Sequence, residues 1–189
     1  LDRRGEHYRI GGRHGSCPSD RFHVTHSPHH SQPPAQAHWT AFLPDEAATA
    51  GLGGQLALCI VPGLRIYLRG ELGSGKTTLI RGLLRALGVK ESVKSPSYTL
   101  VEPYVVSRLH LYHFDFYRFL DSSELGDSGL VDYFHGEGVC LVEWPERAGA
   151  ALPRPDLEIS LSYAGTGREI NLTGHGEAGA RCLAKFKNV

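Results

Sequence analysis

No stretch of this sequence approaches the ~20 consecutive apolar residues of a membrane-spanning helix. Neither charge sign dominates, since Lys plus Arg and Asp plus Glu each number 20. That balance argues against a polycation wrapped on DNA or RNA and against a basic membrane-surface helix. Any service to RNA is expected through partners or a local patch. Cysteine is sparse: Cys17, Cys59, Cys140 and Cys182 are too far apart for a CxxC pair. They read as reduced thiols of a cytoplasmic protein. The N-terminus has no apolar central segment of the kind a signal peptide carries. Met is absent and the chain starts at Leu1. Two readings fit: an alternative start codon rendered literally, or a start placed ahead of the folded part.

The 189 residues, 41% of them apolar, suit one ordinary domain and not comfortably two. Residues 1–38 are rich in His, Arg, Ser, Pro and Gly and poor in large aliphatics. Such a segment buries too little surface to offset its ordering entropy, so it is expected to be a disordered extension. Its histidines also suggest a metal-binding tail, but their spacing is irregular and no acidic or Cys ligands cluster with them. The folded domain is expected over 39–189. Asp45 after Pro44 caps a predicted helix over 45–60, with Ala48, Leu52, Leu56 and Ile60 at helical spacing. Leu64 to Leu68 alternates like a strand. A second helix runs from Lys76 to Leu87 and stops at Gly88. A β-rich stretch continues to Phe116, and a polar helix is expected around Ser122 to Leu125. Val139 to Val142 is wholly apolar, as a buried central strand would be. Leu157 to Leu161 and Arg168 to Leu172 form a predicted hairpin around Gly165 and Gly167.

The chemistry is concentrated at Gly70, Glu71, Leu72, Gly73, Ser74, Gly75, Lys76 and Thr77, which fit the P-loop pattern between a strand and a helix. The glycines let the backbone curl so that successive N–H groups face phosphate oxygens. The helix N-terminus adds partial positive charge. Lys76 is placed to reach the β- and γ-phosphates of ATP, and the Thr77 hydroxyl to ligate Mg²⁺. Thr78 is a possible second hydroxyl, although it is expected to face elsewhere. Such a site needs an acid for the magnesium or its waters. Asp115 and Glu143 each end a strand, where open α/β sheets bind ligands. Glu143 follows the more apolar run and is the preferred metal-site acid. Asp115 is left to order the attacking water or hold the metal through water, or else to pair with Arg118. Ser95-Pro96-Ser97 is either a γ-phosphate-sensing loop or a plain proline turn. His113 is read as a structural histidine before a general base. Trp144 either covers the site, faces a partner or joins the core.

Taken together, four motifs resemble the TsaE (YjeE) family. They are the P-loop through Thr78; Val93 to Tyr104; His113-Phe114-Asp115-Phe116-Tyr117-Arg118; and Glu143-Trp144-Pro145-Glu146. The likeness runs from about Leu43 to Leu172 and leaves residues 1–38 without counterpart. It implies a single P-loop α/β domain with a mixed central sheet flanked by helices. It further implies a weak ATPase working with the TsaB–TsaD pair to make threonylcarbamoyladenosine at adenosine 37 of tRNAs reading codons that begin with A. Lys76 and Thr77 match the family's phosphate and magnesium residues, Glu143 its magnesium-associated glutamate, and Asp115 its motif aspartate. Ser97 stands where the family usually has Thr, keeping the hydroxyl and losing a methyl. Arg168 matches a basic position near the nucleotide. Two other readings share the cradle: a stand-alone small-molecule kinase, which needs an arginine-bearing lid, and a scaffold that binds ATP without hydrolysing it.

Overall fold

The computed structural model describes residues 37–119, 125–126 and 128–186. The histidine-rich segment up to residue 36, Cys17 and most of the helix expected around Ser122 lie outside them. Among the described residues seven strands form one sheet: β1 (Ala37–Leu43), β2 (Arg65–Arg69), β3 (Val101–Val106), β4 (Leu109–Asp115), β5 (Val139–Glu143), β6 (Leu157–Ala164) and β7 (Gly167–Gly174). Their order is β1-β7-β6-β2-β5-β4-β3. β2 runs parallel to β5 and β6, and β4 parallel to β5. The outer pairs β1–β7, β6–β7 and β3–β4 are antiparallel, so the sheet is mixed.

β5 is buried along its whole length, as its unbroken apolar run requires of a strand covered on both faces. Period-two alternation sorts side chains between the faces. Ile66, Leu68, Leu111 and Leu141 join one core with the helices α1 (Glu46–Leu56) and α2 (Lys76–Leu87). Tyr67, Phe114, Cys140 and Val142 join a second, aromatic core on the other face. The same alternation continues past Leu111 to His113 and Asp115, and past Leu141 to Glu143, which places all three polar residues on the α2 face.

α1 begins where Asp45 was expected to cap it, its carboxylate accepting from the Ala48 N–H at 2.7 Å. It ends at Leu56, short of the expected Ile60, and a 3₁₀ turn over Ala57–Cys59 carries the chain onward. Leu79, Ile80, Leu83 and Leu84 form the buried stripe of α2, and Gly88 closes it in the left-handed conformation. A single turn, α3 (Pro145–Ala148), follows β5, and α4 (Gly176–Phe186) packs on the first core through Cys182, Leu183 and Phe186. Sequence periodicity revealed neither β1 nor α4. Cys59, Cys140 and Cys182 are free and buried.

α1 and α2 meet at reciprocal glycines. A Cβ on Gly82 would lie 2.1 Å from the Ala50 carbonyl oxygen, and one on Gly53 would lie 2.1 Å from that of Leu79. Helix propensity alone makes Gly→Ala favourable by roughly 1 kcal/mol. The close approach reverses the sign: Gly82→Ala is expected to lose about 2 kcal/mol in urea unfolding, as overpacking does. A gain in stability would show that the helices are not in this contact.

Candidate functional site

The strand–loop–helix unit β2–α2 carries the P-loop at the carboxyl end of the parallel strands. Gly70, Gly73 and Gly75 take positive φ of 137°, 76° and 109°, conformations costly for residues with a Cβ. Lys76 is the first residue of α2, directly after Gly75 as N-cap. Beside the loop lies a cleft of about 300 Å³ whose walls include Leu72, Gly73, Gly75, Lys76, Thr77, Thr78, Ser95, Ser97, Asp115, Glu143 and Trp144.

Glu143 is the meeting point. Its Oε1 accepts from the Thr77 hydroxyl at 2.8 Å and lies 2.9 Å from His113 Nε2. His113 is fully buried and Glu143 is 3% exposed. A carboxylate oxygen only accepts, so His113 Nε2 carries the proton and donates to Glu143, and Nδ1 is left buried without a partner. His113 is thus a structural partner of the acid and is closed off from the cleft. Asp115 stands opposite Glu143 in the β4–β5 register. One of its oxygens accepts from the Ser95 hydroxyl, and the other from the Tyr117 N–H at 2.9 Å. The anticipated alternative, a pair with Arg118, is not formed: the Arg118 guanidinium lies 4.1 Å above the Tyr98 ring.

Lys76 Nζ donates to the Gly70 and Glu71 carbonyls at 2.8 and 2.9 Å and sits 3.9 Å from the centroid of the Trp144 ring. Burial lowers its pKa, and the charges of Glu143, Asp115 and Glu146 oppose that shift. Trp144 covers the lysine from a left-handed backbone conformation at φ 59°. It packs 5.0 Å from the Tyr117 ring and, half-buried, also against the edge of the aromatic core, so it both covers Lys76 and borders that core. Thr78 reaches the cleft wall, but its hydroxyl donates to Glu46 at 3.4 Å. Ser97 lines the cleft, while the serine bonded to an acid is Ser95. Arg168 reaches the loop from β7, its Nε donating to the Ser74 carbonyl at 2.7 Å. Tyr163, which no motif flagged, donates its hydroxyl to the Leu72 carbonyl at 2.9 Å. Its sequence signal was only a tyrosine near the end of a predicted strand. Ser74 Oγ is buried under the loop without a partner.

A glycine-cornered loop between a parallel strand and a helix, with buried acids ending the neighbouring strands, defines a P-loop NTPase fold. The comparisons narrow the class. The model of the threonylcarbamoyl adenosine biosynthesis protein TsaE family matches residues 43–170. A TsaE protein of Haemophilus influenzae is 38% identical over 154 residues, covering 79% of this chain and 98% of the relative. One of Bacillus subtilis is 42% identical over 142 residues, covering 75% and 87%. The crystal structure of Bacillus subtilis YdiB superposes with a TM-score of 0.67 at 34% identity, covering 82% of this chain and 95% of that one. The chain therefore belongs to the TsaE family. Among the described residues no helix is long and apolar enough to cross a membrane.

The His113–Glu143 contact has a direct test. A hydrogen bond to a buried carboxylate contributes about 1.5–3 kcal/mol. A double-mutant cycle of His113→Ala and Glu143→Ala, followed by urea unfolding, is expected to give a coupling energy of about 1–2 kcal/mol. Additive losses would contradict the contact.

Proposed function

We propose that the chain is a Mg-ATP-binding ATPase, weak alone and faster with the TsaB–TsaD pair, required for threonylcarbamoyladenosine at adenosine 37 of tRNAs reading codons that begin with A. It reaches tRNA through that complex, and needs neither DNA nor a membrane. The supporting observation is the joint placement of Thr77 and Glu143 at 2.8 Å beside the P-loop cleft. The family names of the relatives supply the tRNA context.

In this reading the amides of the loop from Gly70 to Thr77 receive the phosphates. Lys76 exchanges its hold on the loop carbonyls for β- and γ-phosphate oxygens. A polyphosphate there favours the charged amine that burial disfavours. Thr77 and Glu143 are the residues that would hold Mg²⁺. They fit because a hard cation takes oxygen donors and keeps positions for phosphate and water. Magnesium supplies charge neutralisation at the phosphates. Asp115, held by Ser95 and the Tyr117 amide, orients the attacking water. Ser97 on the cleft wall senses the γ-phosphate. The work of the protein is positioning and charge, as phosphoryl transfer demands.

Two variants test the reading. ATP at 100 times its dissociation constant adds about 2.7 kcal/mol to stability. Lys76→Ala is expected to lose most of the ATP-induced melting shift; an unchanged shift refutes the role of Lys76. Glu143→Ala is expected to bind ATP yet fail to support tRNA modification in cells lacking the native protein. Full support by that variant would replace hydrolysis with ATP-dependent assembly.

A further inference from the structure

The β6–β7 hairpin touches the P-loop through two side chains. Tyr163 and Arg168 are direct partners in the ladder, so they project from the same face of the sheet. The Tyr163 hydroxyl donates to the Leu72 carbonyl at 2.9 Å, and Arg168 Nε donates to the Ser74 carbonyl at 2.7 Å. Those two carbonyls alternate along the loop. In a trans peptide the C=O and the following N–H point in opposite directions, and the described residues include no cis bond. Drawing the Leu72 and Ser74 carbonyls toward the hairpin therefore turns the Gly73 and Gly75 N–H groups away from it. Both glycines line the cleft.

Space gives the same assignment independently. A Cβ on Gly73 would lie 2.9 Å from the Tyr163 hydroxyl, and one on Gly75 would lie 3.1 Å from Arg168 Nε. The hairpin side chains occupy the room that these glycines leave open. The glycines thus serve two purposes: they take positive φ, and they admit the groups that grip the next-door carbonyls.

We infer that Tyr163 and Arg168 are positioning residues of the phosphate cradle. They hold the Leu72 and Ser74 carbonyls outward and so aim the Gly73 and Gly75 amides at a bound polyphosphate. Family resemblance puts Arg168 near the nucleotide; its Nε bond gives it a task on the loop itself, and Tyr163 shares that task. The ligand chemistry is a nucleoside di- or triphosphate, so the inference rests on the nucleotide reading of the cleft.

The test uses the full chain with a fluorescent adenosine diphosphate, and with ATP as competitor. Tyr163→Phe removes one hydroxyl and is expected to weaken both nucleotides about threefold to fivefold, the size of one neutral hydrogen bond. Arg168→Lys keeps the charge but loses the Nε donor, and is expected to weaken them about tenfold. In nucleotide-free protein, the amide signals of Gly73 and Gly75 should shift in both variants while that of Gly88 stays in place. A merely structural role would lower the melting temperature without moving those two signals selectively. Wild-type affinity together with unmoved Gly73 and Gly75 signals in both variants overturns the inference. Failure of the unsubstituted protein to bind either nucleotide would refute the nucleotide reading instead, and the amide signals would still decide the brace.

Discussion

One oxygen of Glu143 gathers three elements of the fold. It ends β5, accepts from Thr77 at the start of α2, and is held by His113 from β4. A carboxylate buried to this degree is costly unless its hydrogen bonds are met. The contacts that meet them also fix the distance between the P-loop helix and the sheet. That distance depends on register: parallel pairing sets Asp115 against Glu143 and Leu68 against Glu143. A one-residue slip of β5 would send the acid to the aromatic core on the opposite face. The buried apolar run of β5 therefore does more than fill the interior, because it locks the one register in which the acid faces the loop.

In the proposed reading the loop is largely set for a polyanion. The loop is already curled by its positive-φ glycines, and two side chains from the hairpin grip its carbonyls. Lys76 alone is turned inward, bonded to its own loop and roofed by Trp144. Phosphate oxygens would have to displace those carbonyls, a local rearrangement on an otherwise set frame. Asp115 is likewise held in place by Ser95 and a backbone amide before any ligand arrives. Preorganisation of this kind reduces the reorganisation needed at the moment of reaction.

Much of this was legible in the residues. The P-loop glycines, Lys76 and Thr77 are contiguous, and their chemistry is local. The acids were readable because Asp115 and Glu143 each end a predicted strand, and an open α/β sheet binds its ligand beyond the carboxyl ends of its strands. What escaped was non-local. β1 is an edge strand with three of its seven residues exposed, and its pairing with β7 spans most of the chain. α4 carries Gly176 and Gly179, which weaken a helical pattern. Gly179 is required because a Cβ there would lie 2.1 Å from the Asp156 carbonyl oxygen. Tyr163 could not be flagged, because its partner Leu72 is brought to it only by the β2–β6 pairing. Of the two serines in one short turn, the sequence could not say that Ser95 would be the one to take the acid. Arg118 left Asp115 for an aromatic face, an alternative that appears only once Tyr98 is placed beside it.

The most direct test of the account is ATP hydrolysis by the purified chain, alone and with TsaB and TsaD from the same organism, with and without tRNA. The account predicts little turnover alone and a clear rise when the pair is added. Substantial turnover alone, unchanged by the pair, would contradict it and point to an independent enzyme acting on another phosphoryl acceptor.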